Sequence, residues 1–240
     1  MVVKSQLKRI KSLHQKKNRK QEGLFFVEGE KGIADAISNQ LTPYLLLCSK
    51  PPTAPQLSGI GFEKVTQKEM DQISALKNSN GFLGVFEMPE LPPLNFKDWI
   101  LVLDQLQDPG NLGTIIRLCD WFGIQQILCS PETVDVFNPK VVQASMGSIG
   151  RIGVYYQDLL PVFNTQQLPI YGTFMEGTPI QNITFNAPGF LVLGNEGNGI
   201  SKEISDLVTE KISIQAHSSS AAESLNVANA AAILFHEMRR

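Results

Sequence analysis

Six apolar runs of four or five residues, at 100–103, 126–129, 152–155, 170–174, 190–193 and 211–214, punctuate the second half of the chain. Patterns of helical period at 111–122, 139–145, 201–208 and 223–238 separate most of them. Short unbroken apolar runs suit strands buried on both faces, and such strands alternating with helices build a parallel α/β sheet covered on each side. In such a sheet the ligand site lies beyond the carboxyl ends of the strands. The loops after Leu103, Leu193 and Ile214 are therefore where chemistry is expected.

Upstream, residues 88–98 read MPELPPLNFKD, a proline density that neither a helix nor a central strand survives. This predicts three parts: a first domain over 1–88, a Pro-rich linker over 89–98 and a second domain over 99–240. Within the first, apolar runs at 24–27, 44–48 and 81–86 alternate with helical spacing at 29–39 and 67–76, the pattern of a small α/β domain. With 42% hydrophobic and 18% charged residues, the 240-residue chain can bury a sizeable core. No run approaches membrane-spanning length, and the basic N-terminus lacks the apolar stretch of a signal peptide. The three cysteines, Cys48, Cys119 and Cys129, are odd in number, and the last two sit in apolar runs. A reducing cytoplasm is the expectation.

The charges are unevenly placed. Residues 1–20 hold eight of the 21 Lys and Arg and no acid, which leaves 13 basic against 23 acidic side chains elsewhere, a formal −10. That asymmetry fits a basic nucleic-acid-binding arm on an acidic body, with a plain solvated helix as the alternative. The cations assigned to a nucleic-acid partner are Lys8, Arg9, Lys16, Lys17, Arg19 and Lys20, joined by Arg117 and Lys140 from the second domain.

Three loops carry polar residues in the expected places. After Leu103 comes DQLQDPGNLGTIIR, a Pro-Gly turn opening a helix, with Asn111 near its start and Arg117 six residues on. Asn111 reads equally as a helix N-cap or as a site residue, whereas Arg117 interrupts an apolar run, where a charge needs a partner. After Leu193 comes GNEGNGI, whose glycines let the backbone turn tightly and present N–H groups to a ligand. It matches neither the dinucleotide nor the P-loop phosphate signature. The third stretch, ESLNVANAAAIL from Glu223, opens a helix whose following turns are nearly all alanine. His14, His217 and His236 are scattered and no Cys or His pair has ligand spacing, so no metal is expected; no nucleophile motif of a hydrolase occurs.

In this order and at these separations, Asn-x-Gly-x-x-x-Arg, Leu-Gly-Asn-Glu-Gly-x-Gly and Glu-Ser-Leu-Asn-Val resemble the SpoU (TrmH-like) family of RNA ribose 2′-O-methyltransferases of the SPOUT superfamily. The stretch NPKVVQASMGS from Asn138 is similar to what lies between the first two motifs in many members. The resemblance covers 99–238, and 23–87 looks like the small ribosomal-protein-like substrate-binding domain that many members carry. It implies a deep trefoil knot, S-adenosylmethionine held by the knot loops, and a homodimer with active sites at its interface. Carried onto this sequence, Gly194, Asn195, Glu196, Gly197, Ile214, Leu225 and Asn226 would line the cofactor. Asn111, Arg117, Glu196, Ser224 and Asn226 would surround the reacting ribose. The chain departs from the family's Ile-Pro-Met at Ile212-Ser213-Ile214, and the loop over 215–222 is several residues longer. Ribosomal RNA is favoured over tRNA as substrate. Two rivals are an RNA-binding relative without methyl transfer and a different transferase on the same knot.

Overall fold

The computed structural model describes residues 3–240; the first two residues of the basic leader lie outside them. The described residues form two compact units. The first holds those up to Glu90 together with Asp135–Gly150, and the second Leu91–Val134 with Arg151–Arg240. Among the described residues no helix is long and apolar enough to cross a membrane.

The first unit opens with helices α1 (Lys4–Ser12) and α2 (Lys16–Glu22), followed by β1 (Leu24–Glu28), α3 (Glu30–Ser38), β2 (Pro43–Cys48), β3 (Glu63–Lys64), α4 (Gln67–Ile73) and β4 (Phe82–Glu87). Its sheet runs β1-β4-β2-β3, antiparallel except for the β2–β3 pair. The leader is not a solvated arm. Leu7, Ile10 and Leu13 are buried and share one core cluster with Phe26, Met70 and Ile73, so α1 presents an apolar face to the unit and its lysines to water. Arg19, expected among the RNA-facing cations, is 2% exposed. Its guanidinium donates to the Leu13 and His14 carbonyls and, from Nε and Nη2, to Asp135 Oδ2 at 3.2 and 2.5 Å. A buried charge demands such a partner, and the pairing takes Arg19 off the surface. Arg9 is engaged by Glu22 and Tyr44. Lys8, Lys16, Lys17 and Lys20 remain exposed.

Residues 135–150, a stretch of the expected second domain, pack into the first compact unit, and the Arg19–Asp135 ion pair lies within that packing. Phe137 also stacks on Phe25 with ring centroids 4.5 Å apart. After α6 (Pro139–Ala144), Gly147 adopts φ +89° against the Asp35 side chain, where an added Cβ would come within 2.6 Å of a carboxylate oxygen. Only glycine meets both conditions.

The second unit contains β5 (Ile100–Leu103), α5 (Pro109–Phe122), β6 (Gln126–Cys129), β7 (Gly153–Tyr156), α7 (Leu159–Thr165), β8 (Ile170–Pro179), β9 (Phe190–Leu193), α8 (Lys202–Ser205), β10 (Glu210–Ser213) and α9 (Val227–Met238). Every strand pair is parallel, in the order β10-β8-β9-β5-β6-β7. The expected runs at 100–103, 126–129 and 190–193 are strands with every residue buried, as their composition demands. Strand order reverses direction between β5 and β9, which places a crevice beyond their carboxyl ends. The end of the proline-rich segment is tied to this unit: Asn95 exchanges hydrogen bonds with Gln126, and the Tyr155 hydroxyl donates to the Pro92 carbonyl. Burial pushes the thiols of Cys119 and Cys129 up, which leaves them protonated and unreactive.

Candidate active site

Beyond β5 and β9 the two loops are stitched together. Asn195 Nδ2 donates to the Gln105 carbonyl at 2.8 Å, and Asp104, 2% exposed, accepts from the Ser201 amide at 2.7 Å. Gln105 sits at φ +59° to make the turn. The glycine loop closes on itself through paired Asn195–Gly199 backbone hydrogen bonds of 2.9 Å, while Asn195 Oδ1 accepts from the amides of Gly197 and Asn198. A Cβ on Gly194 would lie 2.1 Å from the Gly199 carbonyl carbon, so that glycine is required by the loop's own close return.

The cap of α5 is Asp108, whose Oδ1 accepts from the Asn111 amide at 2.8 Å; Asn111 itself lies inside the first turn. This corrects the N-cap reading and frees the Asn111 side chain. Its Nδ2 donates to Glu196 Oε1 at 3.1 Å, and its Oδ1 accepts from Asn226 Nδ2 at 2.9 Å. Glu196 also accepts from the amides of Gln107 and Asp108, so a carboxylate sits at the positive end of α5, an arrangement worth roughly 0.3–1 kcal/mol near the surface. Asn226 caps α9 through Oδ1, accepting from Ala228 and Asn229. One short chain of side chains, Glu196–Asn111–Asn226, thereby joins all three loops.

Arg117 is not part of that chain. It lies six residues beyond Asn111, about 240° around the helix, exposed and, among the described residues, without an ion-pair or hydrogen-bond partner. The expectation that it must be paired therefore fails. Interrupting the apolar run merely turns it to the outer face with Thr114 and Trp121. Glu196 holds Asn111 and backbone amides instead of Arg117. The last helix starts at Val227, later than expected from the sequence, so Glu223, Ser224 and Leu225 lie in the exposed loop before it. Ile214 is half-buried just after β10. Lys140 stands exposed on α6 of the first unit. Sequence reasoning passed over Asp104 and Asp108, although a carboxylate directly after a fully apolar strand and one before Pro-Gly are both legible signals.

A parallel α/β site beyond the carboxyl ends of the strands is what this sheet and these converging loops define, and the chain belongs to the SpoU rRNA methylase family, whose pattern matches residues 98–236. Residues 4–84 match an MRM3-like substrate-binding domain. Over 95% of the chain it is 30% identical to the 23S rRNA (guanosine(2553)-2′-O)-methyltransferase RlmP of Bacillus subtilis, of which 94% is covered. A TrmH-family protein from Porphyromonas gingivalis superimposes with a TM-score of 0.87 at 36% identity, covering 100% of this chain and 98% of that one. An AdoMet-bound rRNA methyltransferase from Sinorhizobium meliloti does so at 0.86 and 28% identity, covering 100% and 95%.

Proposed function

We propose that this protein methylates a ribose 2′-hydroxyl of ribosomal RNA with S-adenosylmethionine, in the cytoplasm and as a homodimer. The observation that carries the reading is the Glu196–Asn111–Asn226 chain, which locks the three family motifs into one cluster beyond β5 and β9. For the cofactor, this reading assigns the adenine to the apolar surface of Leu225, 50% exposed beside Asn226, and of half-buried Ile214, with the glycine loop after β9. Bound there, the cofactor supplies an electrophilic methyl group on a sulfonium. The trefoil knot implied by the family belongs to this reading.

A ribose hydroxyl is a weak nucleophile, so the protein's contribution is alignment, which supplies up to about 7–11 kcal/mol of such a barrier. The side chains of Asn111, Asn226 and Ser224 orient the ribose. Glu196 holds Asn111 in its rotamer. Arg117, on the outer face of α5 with exposed Trp121, binds RNA phosphate and stabilises the developing alkoxide at a site completed across the dimer interface. Dimerisation is supported by Trp121, 84% exposed on α5, and Ile233, 40% exposed on the α9 helix packed beside it. Ala228 and Ala231, in contrast, are already buried within the chain. Sedimentation is expected to give a dimer for the wild type and a folded monomer for Trp121→Asp. Labelled cofactor offered with separated rRNA and tRNA tests the substrate: label in rRNA supports the reading, and label in tRNA alone overturns it.

A further inference from the structure

The first unit contains a cleft of about 580 Å³, within the size range of small-ligand sites, that the methyl-transfer chemistry does not use. Its floor is apolar, built from buried side chains such as Phe26, Phe82, Val142 and Ile149. Lys31, Lys50 and Lys140 line it and are exposed, and among the described residues none of the three is in an ion pair; Lys50 Nζ lies 5.6 Å from the Phe82 ring centroid.

The acids of the same cleft are largely committed elsewhere. Glu28 accepts from the Ala75 amide at 2.8 Å and from the Ser74 hydroxyl. Glu30 accepts from the Ala54 amide at 2.5 Å and from Thr53; the Ala54 hydrogen bond, with Thr53 and the Lys50 charge adding to it, holds its carboxyl below the usual range. Asp35 packs against Gly147. Two amides are available at the cleft: Asn80, whose Oδ1 takes the Phe82 amide at 3.4 Å, and Gln143; among the described residues the Asn80 NH₂ and the Gln143 side chain have no hydrogen-bond partner. Met146 also lines it, 53% exposed and held at φ +51°, a left-handed conformation that a bulky residue keeps only when its surroundings enforce it.

We propose that this cleft takes an unpaired nucleobase of the RNA substrate, seated over its apolar floor against exposed Met146, its edge read by Asn80 and Gln143 and the flanking phosphates held by Lys31, Lys50 and Lys140. Unpaired RNA is recognised in this way, by stacking of splayed bases with cations on the backbone. A free nucleoside phosphate shares that chemistry. The string of open, exposed cations, continued in the same unit by the lysines of α1 and α2, favours a polymer.

The inference rests on RNA being the substrate, so the test reads RNA binding and not methyl transfer. A fluorescein-labelled RNA hairpin with an unpaired loop, and a fully paired RNA of equal charge, are titrated by anisotropy. The wild type is expected to prefer the loop RNA by about tenfold, and uridine monophosphate at a thousandfold excess to leave that complex intact. Gln143→Trp, which fills the cleft from an exposed position, should erase the preference while binding of the paired RNA persists. The Lys50→Ala/Lys140→Ala double variant should flatten the salt dependence by one to two units. Circular dichroism and the melting temperature establish that each variant is folded, and Gln143→Ala serves as a smaller change if the Trp variant is not. Equal affinity of the wild type for both RNAs, an undiminished preference in folded Gln143→Trp, or displacement by the mononucleotide would overturn the proposal. Calorimetric titration of the cofactor tests the methyltransferase reading separately.

Discussion

Asn226 and Asn111, separated by 115 residues of sequence, are joined by a 2.9 Å hydrogen bond from the side-chain amide of the first to the side-chain oxygen of the second. Asn226 performs two tasks with its two atoms, since its oxygen caps α9 while its nitrogen holds Asn111. The tasks can be separated. Asn226→Asp keeps a good cap but loses the donor, so the melting temperature should stay close to wild type while kcat/KM falls at least tenfold. Asn226→Ala should additionally cost about 1 kcal/mol of stability by denaturant unfolding. Full activity in the aspartate variant would remove the Asn111 link from the mechanism.

Among the described residues, exposed Arg117 has no hydrogen-bond or ion-pair partner that would tie it to the fold. Arg117→Ala should leave the unfolding midpoint and cofactor affinity unchanged while methyl transfer is nearly lost, and Arg117→Lys should restore little if the planar guanidinium is needed for phosphate and oxyanion together. A variant retaining more than about a tenth of the wild-type rate would limit its role to less than ~1.4 kcal/mol.

Arg19 is the opposite case among the cations. Arg19→Ala strands the Asp135 carboxylate in the interior and should destabilise the first unit by about 3–5 kcal/mol in urea unfolding, whereas Arg19→Met/Asp135→Leu should recover most of that loss. Equal stability of Arg19→Ala and wild type would contradict the buried pair.

The leader cannot be tested by truncation, because removing Leu7, Ile10 and Leu13 takes away part of the core. Substitution of exposed Lys8, Lys16, Lys17 and Lys20 by alanine should preserve the fold. It should flatten log affinity against log salt by up to about three units, at ~0.7–0.9 per phosphate contact. An unchanged slope would assign RNA capture to other cations.

Strand-length apolar runs were readable because burial on both faces leaves no room for polar residues; 100–103, 126–129 and 190–193 match to the residue. Helix α7 escaped because Pro161 and a short span mask its period, although Asp158 caps it in the ordinary way. The basic leader misled for a different reason: charge density hid the spacing of Leu7, Ile10 and Leu13, and a lone Arg19 cannot announce a carboxylate 116 residues away. In the site, the motifs located Asn111, Glu196 and Asn226, but hydrogen-bond partners are set by tertiary geometry. The sequence could not say that Asp108 would cap α5 in place of Asn111 or that Glu196 would bind Asn111 instead of Arg117.

Incubation of the purified protein with methyl-labelled S-adenosylmethionine and unmethylated ribosomal RNA, followed by nuclease digestion and mass spectrometry of the nucleosides, tests the central claim most directly. The account predicts label on the ribose of a single nucleotide, absent with Arg117→Ala. Label on a base, or none in ribosomal RNA, would contradict it.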